Sequence, residues 1–456
     1  MAHLKAYLQD LERDFTVDTA KLKHITSHFV NELDKGLSHA GGSIPMNPTW
    51  VMQQPTGNET GKYLVLDLGG TNLRVFCVQL SEEKSGFQVS QVQHKLPDQL
   101  KTGDAEELWD FVAGHLESFL HSADFDTTAN IDLSFIFSFP TSQRTIDEGI
   151  LQRWTKGFNV ADSEGRDAAA SLRHAIAKRK LPLNVRVVTN DTTATMMASA
   201  YLNADTAIGC VFGTGCNGAY FERCQSIPKL DAEGLPAEAL MAINCEWGAF
   251  DNEHAVLPLT SFDNAIDDAS PRRGQQAFEK MVAGLYLGEI FRLIMLDVHQ
   301  RDPGSFLNGQ SMERLQEPYF MDSSFLSAIE EDTSKDFQGA YDICVSKLGV
   351  SPTLQDLQFM KDVAKLITTR AARLSATGVA AICNKRGLQT CHVGVEGSLF
   401  EKHPHFKREL SKAVGEILGW DKMSELDDEV KFMLSPGSGV GAAVIASTLT
   451  KSKHEI

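Results

Sequence analysis

Asp67, Gly69, Gly70, Thr71, Asn72 and Arg74 crowd into one stretch, Leu64 to Phe76, with apolar, β-rich runs on either side. Such a run reads as a β-hairpin whose tip holds something. Gly69 and Gly70 let the backbone approach a ligand closely, and Thr71 and Asn72 set short donors beside exposed N–H groups. That tip suits an anion. Asp67 would repel a phosphate unless a divalent cation lay between them, while Arg74 adds a fixed positive fork. The other reading is an ordinary tight hairpin with a surface Asp and Arg. Ala207 to Phe221 repeats the plan, with Gly213, Thr214, Gly215 and Asn217 at its turn. Two phosphate-type hairpins imply two related half-molecules that clamp a nucleotide's phosphates between them.

Other residues could do chemistry, each beside a plainer reading. Asp191 follows the β run Val185–Thr189 and Asn190, and precedes a helical pattern. It is either a helix cap or a base at the carboxyl end of a strand, where open α/β sheets place ligands. Glu246 sits inside the apolar run Ala242–Phe250, where a carboxylate needs a partner, so it is a candidate ligand acceptor. Gln276 and Glu279 stand three apart in a stretch that turns helical from Arg273, and read as a solvated face. Ser138 before a proline reads as a turn residue, and Lys156 between Thr155 and Gly157 as a solvated lysine.

The elements that must carry these groups follow from periodicity. Leu4, Leu8, Leu11 and Phe15, then Leu22, Ile25, Phe29 and Leu33, mark two packing helices. A loop-rich crossing, Gly41 to Asn58, leads to the first hairpin. A strand at Phe87–His94, a helix near Ala105–Leu120 and a dense strand at Ile131–Phe139 come next. Helix is expected over Glu313–Gly349 and Leu354–Arg386. Strands at Gln389–Val395 and Val430–Leu434 lead into Glu396-Gly397-Ser398 and Gly437-Ser438-Gly439-Val440-Gly441, with a final helix after the second loop.

With 456 residues, 42% hydrophobic and 23% charged, the chain has room for two or three domains. Disorder is expected nowhere except in the last few residues. The net charge of −17 argues against nucleic acid or an anionic membrane as partner, so any phosphate site is local and metal-assisted. No secretory signal or membrane-length apolar run is present. The eight cysteines lie scattered without a CxxC pair, as in a reduced cytosolic protein.

Gly213 to Gly218 matches GxGxxG and Gly437 to Ala442 its GxGxxA variant, which invites a dehydrogenase reading. The fingerprint needs strand, turn, helix and a further strand. The first match runs on into Ala219-Tyr220-Phe221, a strand, and too little chain follows the second. The late loop still suits a nucleotide at a helix N-terminus.

Taken in order, Leu66–Arg74, Phe137–Pro140, Trp154–Phe158, Asn190–Thr192, Phe212–Gly215, Ile243–Gly248, Gly274–Lys280, Thr369–Arg373 and Gly437–Gly441 resemble the hexokinase family, and more closely its fungal members. The resemblance runs nearly end to end. It implies an α/β, actin-like (ribonuclease H-like, duplicated) sugar-kinase fold of two domains hinged over a cleft. Residues 58–190 plus 437–456 would form the small domain, and 1–57 plus 191–436 the large one. It implies ATP-dependent phosphorylation of the 6-hydroxyl of glucose, fructose or mannose as the first step of glycolysis, with Asp191 as general base and Lys156 and Arg74 assisting. The hexose would be held by Ser138, Thr155, Lys156, Asn190, Asp191, Asn217, Glu246, Gln276 and Glu279. Gly69, Gly70, Thr71, Asn72, Arg74, Gly213 and Thr214 match positions near the nucleotide phosphates, and Asp67 one that helps place Mg²⁺ through water. Gly397, Ser398, Gly437, Ser438, Gly439 and Gly441 match the nucleoside side. A cytoplasmic monomer or homodimer is expected, with hexose and Mg-ATP as its partners. The alternative is a catalytically silent sugar sensor on the same fold. Glu396 departs from the usual Asp of the family, and Pro436 from the usual acidic residue; both touch the nucleoside end.

Overall fold

The two N-terminal hydrophobic stripes become α1 (Ala2–Phe15) and α2 (Thr19–Ser38), and Asp18 caps α2 by accepting from the Lys21 N–H. Their apolar faces join the largest core cluster. The computed structural model describes all of the chain except residues 1, 123–124, 126–127, 231–233, 421–428 and 452–456. The expectation for the last few residues therefore lies outside the described chain.

The first hairpin is β1 (Gly61–Leu68) and β2 (Asn72–Leu80), followed by β3 (Phe87–Lys95) and α3 (Ala105–Ser122). Then come β4 (Ile131–Phe137), α4 (Ala168–Lys178), β5 (Leu183–Thr189) and α5 (Asp191–Leu202). The strands form a sheet in the order β3-β2-β1-β4-β5. β1, β2 and β3 pair antiparallel, whereas β4 and β5 add parallel. The parallel inner strands are apolar on both faces because helices cover both sides.

The second hairpin is β6 (Thr206–Phe212) and β7 (Cys216–Arg223), followed by β8 (Leu240–Asn244) and the short α6 (Ala277–Val282). After α7 (Leu354–Arg386) come β9 (Cys391–Glu396), β10 (Val430–Leu434) and α8 (Ser438–Lys451). The order β8-β7-β6-β9-β10 repeats the first sheet, with a two-residue strand at Asn47–Pro48 added beyond β8. The first three strands are again antiparallel and the last two parallel. Two copies of one topology therefore underlie the two hairpins. The helices cross between them: α5 follows the first sheet yet packs on β6 and β9, and α8 follows the second sheet yet packs on β1 and β4. A third core cluster joins α5 and α8 between the sheets.

Several boundaries differ from the sequence reading. Glu313–Gly349 is not one helix but short pieces, Ser323–Glu331 and Gln338–Ile343 among them, broken where Phe337 takes a left-handed conformation (φ 52°). The helix expected from Arg273 begins at Ala277, leaving Gln276 outside it. α8 begins at Ser438, so Gly439 and Gly441 are helical residues rather than loop. A Cβ on Gly441 would stand 1.8 Å from the Ala194 carbonyl, so this glycine lets α8 approach α5. By contrast α7 keeps the expected bounds. Thr353 and Asp356 form its capping box, and Gly387 (φ 64°) ends it in the left-handed conformation that glycine favours.

Candidate active site

Asp191 opens α5, but the cap is Asn190, whose side chain accepts the Thr192 N–H at 2.7 Å. The cap reading of Asp191 is thus corrected, and its carboxylate is left for other partners. Thr192 Oγ1 donates to it at 3.1 Å, and Lys156 Nζ lies 4.0 Å away. Lys156 is no solvated surface lysine, because its ammonium also donates to the Ser138 carbonyl at 2.8 Å. The loop that carries it is anchored by aromatics: Trp154 stacks on Phe158 and meets Phe139 edge-on.

From the second sheet come Asn217, Glu246, Gln276 and Glu279. Asn217 Nδ2 donates to Asn244 Oδ1 at 2.7 Å, and Asn244 Nδ2 donates to Glu246 Oε1 at 2.9 Å. The Glu246 N–H returns to Asn217 Oδ1 at 2.9 Å, closing a ring of amides around the carboxylate. Glu279 Oε2 accepts the Cys216 N–H at 3.1 Å. Burial raises both carboxyls above their ordinary range, opposed by the Asn244 amide for Glu246 and the Cys216 N–H for Glu279. Lys156, Glu246 and Gln276 all hold left-handed backbones, with φ between 56° and 58°. Such strain in side-chain-bearing residues gathers at functional sites.

The Gln276 conformation has a visible support. Lys280, buried, donates to Asp267 Oδ1, Ser270 Oγ and the Arg272 carbonyl, while Asp267 also accepts the Gly274 N–H. This clamps the loop before Gln276. Ser138, Thr155, Lys156, Asn190, Asp191, Asn217, Glu246, Gln276 and Glu279 all line one cavity. Gln276 and Glu279 are therefore not a solvated helix face, nor is Ser138 a mere turn residue. Asn244 and Lys280 were missed by sequence reasoning. An Asn three residues before Trp247 and a Lys after Glu279 carry no signal of their own.

The hairpin tips lie next to this cavity. A Cβ on Gly70 would stand 2.9 Å from the Lys156 side chain, and Thr71 and Thr214 are exposed at their tips. Asp67 is buried opposite Arg74 across the β1–β2 register, with Arg74 Nη2 2.6 Å from Oδ2. That ion pair occupies Oδ2, while the buried Oδ1 has no hydrogen-bond donor among the described residues. Burial pushes the carboxyl up to about 6, against the pull of Arg74. A buried carboxylate with one oxygen left open fits a hydrated divalent cation. Gly213 abuts Gly397, whose φ of 123° suits glycine alone. Glu396 is the last residue of β9, and its carboxylate accepts from Thr195 Oγ1 and from the Ser438 N–H, both at 2.9 Å. Glu396 thus occupies a free N–H at the start of α8 and holds that end beside Arg74 and Asp191, whose charges it feels.

Two family models, each described as hexokinase, match this chain, one over residues 7–201 and the other over residues 207–448. A hexokinase of Emericella nidulans is 50% identical over 98% of this chain and 92% of its own length. Hexokinase-1 of Saccharomyces cerevisiae is 45% identical over 97% of this chain and 92% of its own. Among solved structures, a hexokinase from Schistosoma mansoni complexed with glucose superposes with a TM-score of 0.87 at 30% identity, covering 98% of this chain and 99% of that one. Duplicated sheets, paired hairpins and near-complete coverage agree, and the chain is an enzyme of the hexokinase family.

Proposed function

We propose that this enzyme transfers the terminal phosphoryl group of Mg-ATP to the 6-hydroxyl of a hexose, accepting glucose, fructose and mannose, as the first step of glycolysis. One observation carries the reading: a single cavity gathers three carboxylates and three amides, with Asp191 relieved of capping by Asn190. A neutral sugar offers little but hydroxyls, and carboxylates and amides are the groups that pair them.

In this reading Asp191 accepts the 6-hydroxyl proton as the oxygen attacks phosphorus, and Lys156 and Arg74 draw off charge from the transferring group. Glu246 and Glu279 accept from sugar hydroxyls. Gln276 Oε1, buried and without a hydrogen-bond partner among the described residues, takes another. Asn190, Asn217, Ser138 and Thr155 complete the set. Gly69, Gly70, Thr71, Asn72, Gly213 and Thr214 face the phosphates, and Gly397, Ser398 and the 437–441 segment the nucleoside. Asp67 would hold Mg²⁺ through water, and the ion would neutralise phosphate charge. We divide the chain into a small domain of residues 58–190 with 437–456 and a large domain of the remainder, closing over the sugar to exclude water. A cytoplasmic monomer or homodimer fits this reading, and no helix among the described residues is long and apolar enough to cross a membrane.

The test is ADP formation from Mg-ATP with glucose, fructose, mannose and glycerol, each against a sugar-free blank. Turnover with the hexoses and not with glycerol is expected. Glucose binding without turnover would replace this reading with a silent sensor.

A further inference from the structure

A cavity of about 670 Å³ opens between the 40–50 segment and the 142–153 segment, with Asn47, Trp50, Arg144, Arg153 and Lys229 among its lining residues. Arg153 precedes Trp154 in the chain, and its charge reaches Glu246 and Glu279 of the sugar pocket. Its lining carries three cationic side chains and no carboxylate, in a chain with 60 acidic against 43 basic residues. That local reversal of sign selects for an anion.

Two donors in the wall have no acceptor. Asn47 is 5% exposed; its Oδ1 takes a hydrogen bond from Gln152 Nε2 at 2.9 Å, while its Nδ2 has no partner among the described residues. Arg153 Nε is buried and equally without a partner among the described residues. Buried polar groups are ordinarily paired, so two unpaired donors on residues that line one cavity point to an acceptor supplied from outside. The other cations are committed: Lys229 to the Gly36 and Pro45 carbonyls, Arg144 to Glu148. They supply field rather than contact. Met46 and Trp50, on either side of the Asn47–Pro48 strand, hold left-handed backbones with φ of 51° and 60°, strain of the kind kept at ligand clamps.

We propose that this cavity binds the phosphate group of a small molecule through Asn47 Nδ2 and the Arg153 guanidinium. An arginine fork with an amide N–H matches phosphate oxygens, and the volume suits a small organic phosphate better than the bare ion. Asn47 belongs to the strand beside β8, and Arg153 to the loop that carries Thr155 and Lys156. An occupant held by both ties the two sides of the cleft together, so it and the hexose strengthen each other's binding reciprocally.

Calorimetry on the full chain without ATP tests this, using ribose 5-phosphate, inorganic phosphate and ribose, each with and without glucose. Ribose 5-phosphate is expected to bind, more tightly with glucose present, and ribose not to bind. Inorganic phosphate binding as tightly as the ester would assign the free ion as ligand at the same site; weaker binding would assign an organic phosphate. Asn47→Asp keeps the acceptor for Gln152 and reverses the donor; with Arg153→Gln it is expected to weaken phosphate binding by about tenfold or more. Glucose binding by Asn47→Asp within about twofold of the parent shows that the variant is folded. Absence of phosphate binding overturns the proposal. So does phosphate binding that survives both substitutions, because it would then belong to the glycine hairpins. Neither result depends on which residue serves as base.

Discussion

At the residue scale the proposed chemistry rests on the division of labour between Asn190 and Asp191. A carboxylate at the first helical position is normally drawn to free N–H groups, but Asn190 already satisfies the Thr192 N–H. Asp191→Ala is therefore expected to cut kcat by about 10²–10⁴-fold while glucose still binds, read by steady-state kinetics beside calorimetry. Near-parental kcat would move the base elsewhere. Lys280 touches nothing in the cavity, yet it joins Asp267, Ser270 and the Arg272 carbonyl behind Gln276. Lys280→Met should raise the glucose KM far more than it lowers kcat, with Lys280→Arg restoring part of the loss. Equal effects on both parameters, with no rescue, would reduce Lys280 to a general structural role. Residue types such as Asp191 and Glu246 were legible in the sequence because carboxylates sit where apolar or strand-end context makes them costly. Which of two neighbours caps a helix was not legible, since that choice rests on a rotamer and not on composition.

At the element scale, what sequence shows well is periodicity, and what it hides is where tertiary contacts interrupt it. α7 was legible to its ends because capping box, apolar residues and terminal glycine agree. The 313–349 segment was not, because its helical pattern is broken by backbone turns such as the left-handed Phe337. Gln276 escaped the helix for a similar reason: the Lys280 clamp holds its loop in a conformation that propensity disfavours. The helix Ser323–Glu331 meets α7 through Glu330, whose carboxylate accepts from Thr368 Oγ1 at 2.6 Å with His403 Nε2 3.5 Å away. Burial pushes Glu330 up to about 7 and His403 down to about 4, so near neutrality the histidine is uncharged and no full ion pair forms. Between the ordinary carboxyl value of 4.5 and that raised value, the folded chain keeps a proton that the unfolded chain has lost. Stability from this group therefore falls as pH rises through the window, by on the order of 3 kcal/mol in full. Glu330→Gln keeps an acceptor for Thr368 but cannot ionise, and the His403 contribution cancels in the comparison. The variant should gain roughly 2 kcal/mol on the parent between pH 5 and pH 8 in denaturant unfolding. A difference that stays flat with pH would rule out the buried ionisation.

At the scale of the whole molecule, the crossed helices α5 and α8 join the two halves, and in the proposed closure they would serve as the hinge and the cavity as the load on it. The cavity draws residues from both halves of the chain, so in the proposed reading a hexose bound there is fully paired only when the two halves meet. One ion pair also spans them: Arg272 Nη2 lies 3.0 Å from Glu164 Oε1, and that same Glu164 oxygen accepts the Trp154 N–H. With side-chain exposures of 35% and 45%, this pair is worth no more than about 0.2–1 kcal/mol. Each buried hydroxyl pairing, by contrast, is worth about 1–3 kcal/mol when lost. In the proposed closure the sugar is therefore expected to supply the drive and the surface contact only to trim it. Small-angle scattering should show the radius of gyration falling toward the roughly 22 Å of a compact chain of this length when glucose is added. Arg272→Ala should still contract, with glucose affinity weakened by no more than about fivefold. Glu246→Gln should need roughly 5–150-fold more glucose to reach the same contraction. An Arg272→Ala variant that fails to contract at saturating glucose would make the surface ion pair the driver of closure, and the buried hydroxyl pairings secondary to it.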